Sequence, residues 1–107
     1  VTKRSMLVRY GLPEDVGIRE LRAAGAVCDI IGQFIDADGT PIDHPLNRRA
    51  IALQLSELSR VPTVVFAAGG RHKVQALAAV LRGGYGSVFV TDESTARAAA
   101  TLARAKR

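Results

Sequence analysis

Cysteine and aromatic residues are scarce in this sequence of 107 residues. Cys28 is the single cysteine, so a disulfide framework and a zinc site built from several cysteines are excluded. One unpaired thiol is typical of a reducing compartment, and we therefore expect a cytoplasmic protein. Two tyrosines, three phenylalanines and no tryptophan leave few rings on which nucleic-acid bases could stack.

Long apolar runs are also missing. Every apolar run is far shorter than the roughly 20 residues of a membrane-spanning helix, so we expect no such helix and no membrane partner. The pattern of a signal peptide, a charged segment followed by an apolar stretch and a small-residue cleavage site, is not found either. With 48% hydrophobic and 23% charged residues, the composition is that of one ordinary globular domain.

The charge is biased toward basic residues. The formal net charge is +5, and twelve of the fifteen basic residues are arginine. Such a balance suits a nucleic acid, an anionic small molecule or only a solvated surface. The basic residues are scattered, except at Lys3-Arg4 and at residues 104–107. Because aromatic residues are few, we do not expect this chain to bind nucleic acid directly.

The first half of the sequence predicts a mixture of elements. Residues 12–15 have the proline and the acidic residues of a helix start, and Gly25 follows a helix that runs to about Ala24. The rest is predicted as a buried strand over 26–35 interrupted at Gly32 and Gln33, a turn over 36–39, a loop over 40–47, a short strand over 50–55 and a helical turn over 56–60.

The second half predicts strands and helices in alternation. Residues 63–68 are a continuous apolar run, which is typical of a strand covered on both faces. A helix spans 74–81 and stops at Gly83-Gly84, a second strand covers 87–90, and Thr91 or Asp92 caps a last helix. This order predicts βαβ units on a parallel sheet, an α/β fold. The strands are few and the sequence begins without methionine, so we expect a fragment of a longer protein.

Two glycines and three basic residues form the sharpest local pattern, Gly-Gly-Arg-His-Lys at 69–73. They follow a predicted parallel strand and open a helix, where free backbone N–H groups attract anions. Cations are unfavourable at a helix start, and a bound phosphate would compensate them. The alternative is a tight glycine turn followed by solvated Arg71 and Lys73. The pattern is not a Walker P-loop.

Asp29 is a second candidate because it lies within an apolar stretch. A buried carboxylate is costly unless it is paired or faces a ligand, but a strand-edge aspartate bonded to backbone is an equal alternative. Asp36, Asp38 and Asp43 lack the further ligands of a calcium loop and indicate turns. Cys28 is predicted as inert packing and His44 as exposed, so we expect no catalytic residue, metal or cofactor.

Four segments of the sequence resemble, in order, those of the SorC/DeoR-type sugar-responsive transcriptional regulators. Residues 25–39 contain Gly-Ala-Val-Cys-Asp-Ile and Phe-Ile-Asp-Ala-Asp-Gly, and residues 45–51 read Pro-Leu-Asn-Arg-Arg-Ala-Ile. Residues 68–73 are Ala-Gly-Gly-Arg-His-Lys, and residues 90–93 are Val-Thr-Asp-Glu. The match covers nearly the whole chain. Cys28 stands where the family usually has glycine.

The resemblance implies a fold and a set of ligand-binding residues. The fold is a Rossmann-like parallel sheet with flanking helices, similar to ribose-5-phosphate isomerase and glucosamine-6-phosphate deaminase. Residues 1–107 would be the C-terminal part of a sugar-binding effector domain, without the helix-turn-helix that binds operator DNA. The residues implied at the site are Asp29 for sugar hydroxyls, Gly69, Gly70 and Lys73 for a phosphate, and Phe34 and Asp36 as lining residues.

Three functions compete on this basis. The resemblance favours a non-enzymatic module that binds a sugar or phosphorylated sugar and acts through a homo-oligomer, a dimer or tetramer. An isomerase or lactonase on the same fold is an alternative, with Asp29 as its base, since a fold does not fix a function. A nucleic-acid-binding fragment is a third alternative, which rests on the charge of +5.

Overall fold

A computed structural model describes residues 1–2 and 5–105 of the chain. The basic pair Lys3-Arg4 and the last two residues of the basic C-terminal run lie outside the described residues. The helices are α1 (Met6–Tyr10), α2 (Ile18–Ala23), α3 (Pro45–Arg49), α4 (Val74–Gly83) and α5 (Glu93–Arg104). The strands are β1 (Cys28–Ile30), β2 (Gln33–Ile35), β3 (Val65–Ala67) and β4 (Val88–Val90), and 3-10 turns cover Leu55–Arg60 and Arg71–Lys73. None of the described helices is long and apolar enough to cross a membrane.

The stretch over residues 26–35 is a hairpin, so the prediction of a single buried strand is wrong. β1 and β2 pair antiparallel, with Asp29 opposite Phe34. The two residues between them have positive φ, 47° at Ile31 and 83° at Gly32, which is the pattern of a type I′ turn. The sequence does not predict this turn, because a β-branched residue such as Ile31 is rarely found at positive φ.

The structure corrects three further predictions in the first half. The helix predicted from residue 12 begins only at Ile18, since residues 13–16 form a turn in which Val16 N–H donates to the Pro13 carbonyl. The predicted loop over 40–47 ends in helix α3, which has proline at its first position. The predicted strand over 50–55 is not formed. The helical turn predicted over 56–60 is confirmed as a 3-10 turn.

The second half follows its prediction closely. β3 and β4 pair in parallel, with α4 as the connection between them, and the C-cap Gly84 follows α4 with φ of 69°. α5 begins after its N-cap Asp92, as expected. Coverage of the strands on both faces is not observed in the described residues, because Val65 and Val90 are 56% and 57% exposed. The chain is therefore a mixed α/β unit with one small parallel sheet and one antiparallel hairpin.

Two apolar clusters form the core, and β2 lies between them. Successive side chains of a strand point to opposite faces, so Phe34 enters one cluster and Ile35 the other, and both are fully buried. The Asn47 side chain forms hydrogen bonds to the backbone of β2, as a neighbouring strand would. Its Oδ1 accepts the Phe34 N–H at 2.7 Å, and its Nδ2 donates to the Phe34 carbonyl at 2.9 Å.

Arg82 joins the end of α4 to the end of α5. Its Nε donates to the Ala103 carbonyl at 3.1 Å, and its Nη2 donates to the carbonyls of Leu102 and Ala105. Its Nη1 reaches the Ala37 carbonyl at 3.1 Å. The last carbonyls of a helix lack partners within the helix, and a cation there also interacts favourably with the helix dipole.

Replacing Ile31 with asparagine is expected to raise the free energy of unfolding by roughly 1 kcal/mol, because asparagine tolerates positive φ far better than a β-branched residue. Urea denaturation measures the change. Ile31→Val keeps the branching and is the control with no expected gain. A loss of stability in Ile31→Asn would mean that the half-exposed side chain contributes more by packing than its backbone costs.

Replacing Arg82 with lysine is expected to lower the free energy of unfolding by about 1–3 kcal/mol, because an ammonium group cannot reach carbonyls of two segments at once. Thermal unfolding followed by circular dichroism tests this. The control is Arg97→Lys, which changes only an exposed pair with Glu93 and should cost below about 1 kcal/mol. Equal losses in both variants would contradict the role given to Arg82.

Candidate functional site

A cavity of about 260 Å³ lies at the carboxyl end of β3. Its walls come from β1, from the end of β3, from the 3-10 turn before α4, from α4 itself and from the first residues of the chain. Ligands of α/β proteins bind at the carboxyl ends of parallel strands, because the loops there diverge and helix starts face the gap. The position of the cavity is therefore typical of a ligand site in this class of fold.

Asp29 and Lys73 line this cavity together. Asp29 is half-buried in β1, and its Oδ2 accepts the Gly32 N–H of the hairpin turn at 3.3 Å. Both alternatives raised by the sequence thus apply to it, since the carboxylate is bonded to backbone and also faces the cavity. The two residues bring opposite charges to one cavity from distant parts of the sequence.

The three basic residues of the 3-10 turn do not share one environment. His72 and Lys73 line the cavity with Asp29, whereas Arg71 lines a separate hollow beside α5, together with Ser94 and Thr95. The sequence alone does not separate His72 from Arg71, because neighbouring residues in a tight turn diverge only once the turn type is known. His72 is therefore a site residue that the sequence does not single out.

The structure explains why residues 69 and 70 are glycines without invoking a ligand. Gly70 has φ of 96° and ψ of 157°, a conformation that only glycine adopts readily. Its N–H donates to Asp92 Oδ1 at 2.9 Å and to Thr95 Oγ1 at 3.2 Å. A Cβ atom at Gly69 would lie 3.0 Å from Asp92 Oδ1. The tight-turn alternative accounts for both glycines, and their contact with a phosphate stays a prediction.

Asp92 is held by hydrogen bonds to both of its carboxylate oxygens. Oδ1 accepts the Gly70 N–H, while Oδ2 accepts the Thr95 N–H at 3.0 Å and the hydroxyls of Ser94 and Thr95, each at 2.8 Å. The bond from Gly70, followed by those from Ser94 and Thr95, holds the pKa of the Asp92 carboxyl well below its usual range. The carboxylate thus caps α5 and at the same time binds the loop formed by Gly69 and Gly70, the glycine loop.

Phe34 and Asp36 lie away from the cavity. The Phe34 side chain is fully buried in the first apolar cluster. Asp36 Oδ1 accepts the N–H groups of Asp38 and Thr40, each at 2.9 Å, which makes it the organising residue of its turn. Their contact with a ligand was implied by the resemblance alone, and this geometry gives it no support.

Cys28 lines the cavity next to Asp29. Burial, and after it the neighbouring Asp29 carboxylate, raise the pKa of the Cys28 thiol to about 11. The thiol is therefore neutral at physiological pH and a poor nucleophile, in line with its predicted role in packing. Among the residues that the structure describes, no three His, Cys, Asp or Glu side chains are grouped to hold a metal ion.

His44 is buried, so the prediction that it is exposed is wrong. Its side chain is 8% exposed, its Nδ1 accepts the Leu46 N–H at 3.0 Å, and its Nε2 is hydrogen-bonded to Glu20 Oε1. The residue is the N-cap of α3. Pro45 at the first helical position is the signal from which this role could have been inferred.

Comparison with known families defines the class of protein. Residues 1–99 match the family model described as "Putative sugar-binding domain". The chain belongs to this sugar-binding domain family.

Individual relatives are transcriptional regulators. The chain is 45% identical over 80 residues to the transcriptional regulator LsrR of Klebsiella pneumoniae, covering 74% of this chain and 25% of that protein. It is 45% identical over 75 residues to LsrR of an Escherichia coli O139:H28 strain, covering 69% and 24%. The chain thus spans about a quarter of the length of these curated relatives.

Solved structures of regulators have the same fold. A DeoR family transcriptional regulator from Listeria monocytogenes superposes with a TM-score of 0.81 at 36% identity, over 89% of this chain and 38% of that one. The sorbitol operon regulator SorC from Klebsiella pneumoniae gives 0.73 over 90% of this chain and 30% of that one, and at 24% identity it shows the fold alone. Together these relatives confirm the resemblance to SorC/DeoR-type regulators.

Replacing Gly70 with alanine is expected to lower the free energy of unfolding by about 1–3 kcal/mol without any ligand, because its backbone conformation is strained for other residues. Urea denaturation of the ligand-free protein measures this. Gly17→Ala is the control, since φ there is −98° and space is open, and it should cost less than about 1 kcal/mol. An unchanged stability with lost ligand binding would show instead that Gly70 serves the approach of a ligand.

Proposed function

We propose that this chain is the effector-binding part of a bacterial transcriptional regulator, and that it binds a sugar or a phosphorylated sugar between Asp29 and Lys73. The observation that carries the proposal is that both side chains line one cavity at the carboxyl end of a parallel strand. Membership of the sugar-binding domain family and the regulators among its relatives support it.

The chemistry of the cavity suits a polyhydroxylated ligand with an anionic end. The carboxylate of Asp29 accepts hydrogen bonds from sugar hydroxyls, and such charge-assisted bonds are stronger than neutral ones. Lys73 offers a compact positive charge for a phosphate, with His72 beside it on the same wall. Apolar neighbours such as Ala76 and Leu77 exclude water from the ring carbons of the ligand.

The proposed assembly is larger than the chain. Residues 1–107 form the C-terminal part of an effector domain with a Rossmann-like sheet, similar to the folds of ribose-5-phosphate isomerase and glucosamine-6-phosphate deaminase. Operator DNA is bound through a helix-turn-helix outside this chain, in a cytoplasmic homo-oligomer. The effector favours one of two assembly states because it binds that state more tightly. The relatives are longer than this chain, which covers 25% of the Klebsiella pneumoniae regulator and 38% of the Listeria monocytogenes one, and this supports an assembly larger than the chain.

The proposed role is not enzymatic and uses no cofactor. The relatives carry the names of regulators rather than of enzymes, which supports a binding function. Asp29 has one oxygen bonded to the hairpin turn, which suits a fixed acceptor for hydroxyls.

The test is calorimetric titration of the whole protein with a panel of sugars and their phosphates. A phosphorylated sugar is expected to bind, and Lys73→Gln should weaken it roughly tenfold, while the unphosphorylated sugar changes little. Asp29→Asn should weaken both forms. Arg71→Gln is the matched control, because it removes a cation from the same turn but outside the cavity.

Each contrary result has a definite meaning. Equal losses in Lys73→Gln and Arg71→Gln would place the anion elsewhere and overturn the assignment to this cavity. Binding of plain sugars alone would remove the phosphate from the proposal. Turnover of any member of the panel would favour the isomerase or lactonase alternative. No binding by the wild-type protein to any member would overturn the proposed function.

A further inference from the structure

Gly70 is fixed at both of its backbone hydrogen-bonding groups. Its N–H donates to Asp92 Oδ1 at 2.9 Å, and its carbonyl accepts the Lys73 N–H at 2.9 Å. The second bond closes the 3-10 turn Arg71–Lys73 that brings His72 and Lys73 to the cavity. A short hydrogen-bonded path therefore connects the Asp92 carboxylate to the backbone of Lys73.

The Asp92 end of this path is anchored to α5. Oδ2 accepts the Thr95 N–H and the hydroxyls of Ser94 and Thr95, so the carboxylate has little freedom to rotate. Thr95 is 1% exposed and shares the Gly70 N–H through its own hydroxyl oxygen. α5 in turn packs along α4, the helix that follows Lys73. The anchor is thus part of the packed unit rather than a mobile side chain.

The close approach of Asp92 also explains why the residue before Gly70 is a glycine. A Cβ at Gly69 would lie 3.0 Å from Asp92 Oδ1, which is tighter than ordinary contact, so the carboxylate reaches the loop only because Gly69 has no side chain. The contact between Asp92 and the loop therefore depends on both glycines, Gly70 as the hydrogen-bond donor and Gly69 as the residue without a side chain.

We propose that Asp92 is a positioning residue of the ligand site, which fixes Gly70 and through it the turn that directs Lys73 to the anionic end of a sugar phosphate. This inference rests on the proposed function and adds to it a residue that does not itself touch the ligand. Asp92 also occupies the Gly70 N–H, so the phosphate is bound by Lys73 rather than by that amide.

A serine at position 92 separates the two roles of the aspartate. Serine is a good N-cap and keeps α5 capped, but its single oxygen cannot bind Thr95 and Gly70 as two carboxylate oxygens do. The melting temperature of Asp92→Ser should therefore fall by only a few degrees. The matched control is Ser94→Ala, which removes a donor to Oδ2 and leaves the Gly70 bond in place.

The first readout needs no ligand. Hydrogen exchange of the Gly70 amide, followed by NMR, is expected to accelerate at least roughly tenfold in Asp92→Ser and to stay unchanged in Ser94→Ala. If the Gly70 amide of Asp92→Ser stays as protected as in the wild type, Asp92 does not hold the loop and the inference is overturned. This result is independent of whether the protein binds a sugar.

The second readout is a double-mutant cycle with the phosphorylated sugar identified by calorimetry. Asp92→Ser is expected to weaken that ligand roughly tenfold in the wild-type background and less than about twofold in the Lys73→Gln background, because the aspartate acts through the lysine. The affinity for the unphosphorylated sugar should change little. A merely structural role would weaken both ligands and both backgrounds alike.

The outcomes separate this inference from the proposed function. Faster Gly70 exchange with an unchanged affinity for the phosphorylated sugar would overturn the positioning role and leave the function intact. Additive losses in the double-mutant cycle would also overturn it. If the wild-type protein binds no sugar at all, the proposed function fails and the role at its site fails with it, although the exchange measurement still decides whether Asp92 holds Gly70.

Discussion

Burial of β2 on both faces is the constraint on which the rest of the structure depends. Phe34 and Ile35 are successive residues that are both fully buried, each in a different apolar cluster. Because a strand alternates its side chains, the chain must place one layer on each side of β2. On the side of β2 away from β1, the Asn47 side chain bonds the backbone N–H and carbonyl of Phe34. With β2 fixed in this way, the register of the hairpin fixes Asp29.

The cavity forms where this hairpin meets the parallel unit. α4 packs against β1, and the two charged residues of the cavity come from the two sides of that contact. α4 is held at both ends, at the start by the loop that Asp92 binds and at the end by the bonds of Arg82 to the carbonyls that close α5. Asp29 and Lys73 thus reach one cavity from the hairpin and from the parallel unit, two parts of the chain that pack against each other.

Local signals predicted the second half of the fold well. Apolar runs, the two glycines that end α4 and the aspartate that caps α5 act within a few residues, so their effects follow from the sequence nearby. The first half was predicted less well for the same reason. The turn at Ile31 opposes the local preference of its residue, and it is stabilised by the antiparallel pairing and by the burial of β2. His44 is buried and is hydrogen-bonded to Glu20, which lies 24 residues away in the sequence.

The sequence by itself determined the class of fold, the family resemblance and the type of residue at the site, because these depend on composition, periodicity and short motifs. Only the tertiary structure decided which candidates meet. It brings Lys73 and His72 to the cavity that Asp29 also lines, and it buries Phe34 in the core. It also places the Asp92 carboxylate where it accepts a hydrogen bond from the Gly70 N–H. The physical reason is that each of these placements depends on packing between segments distant in the chain, which no local pattern encodes.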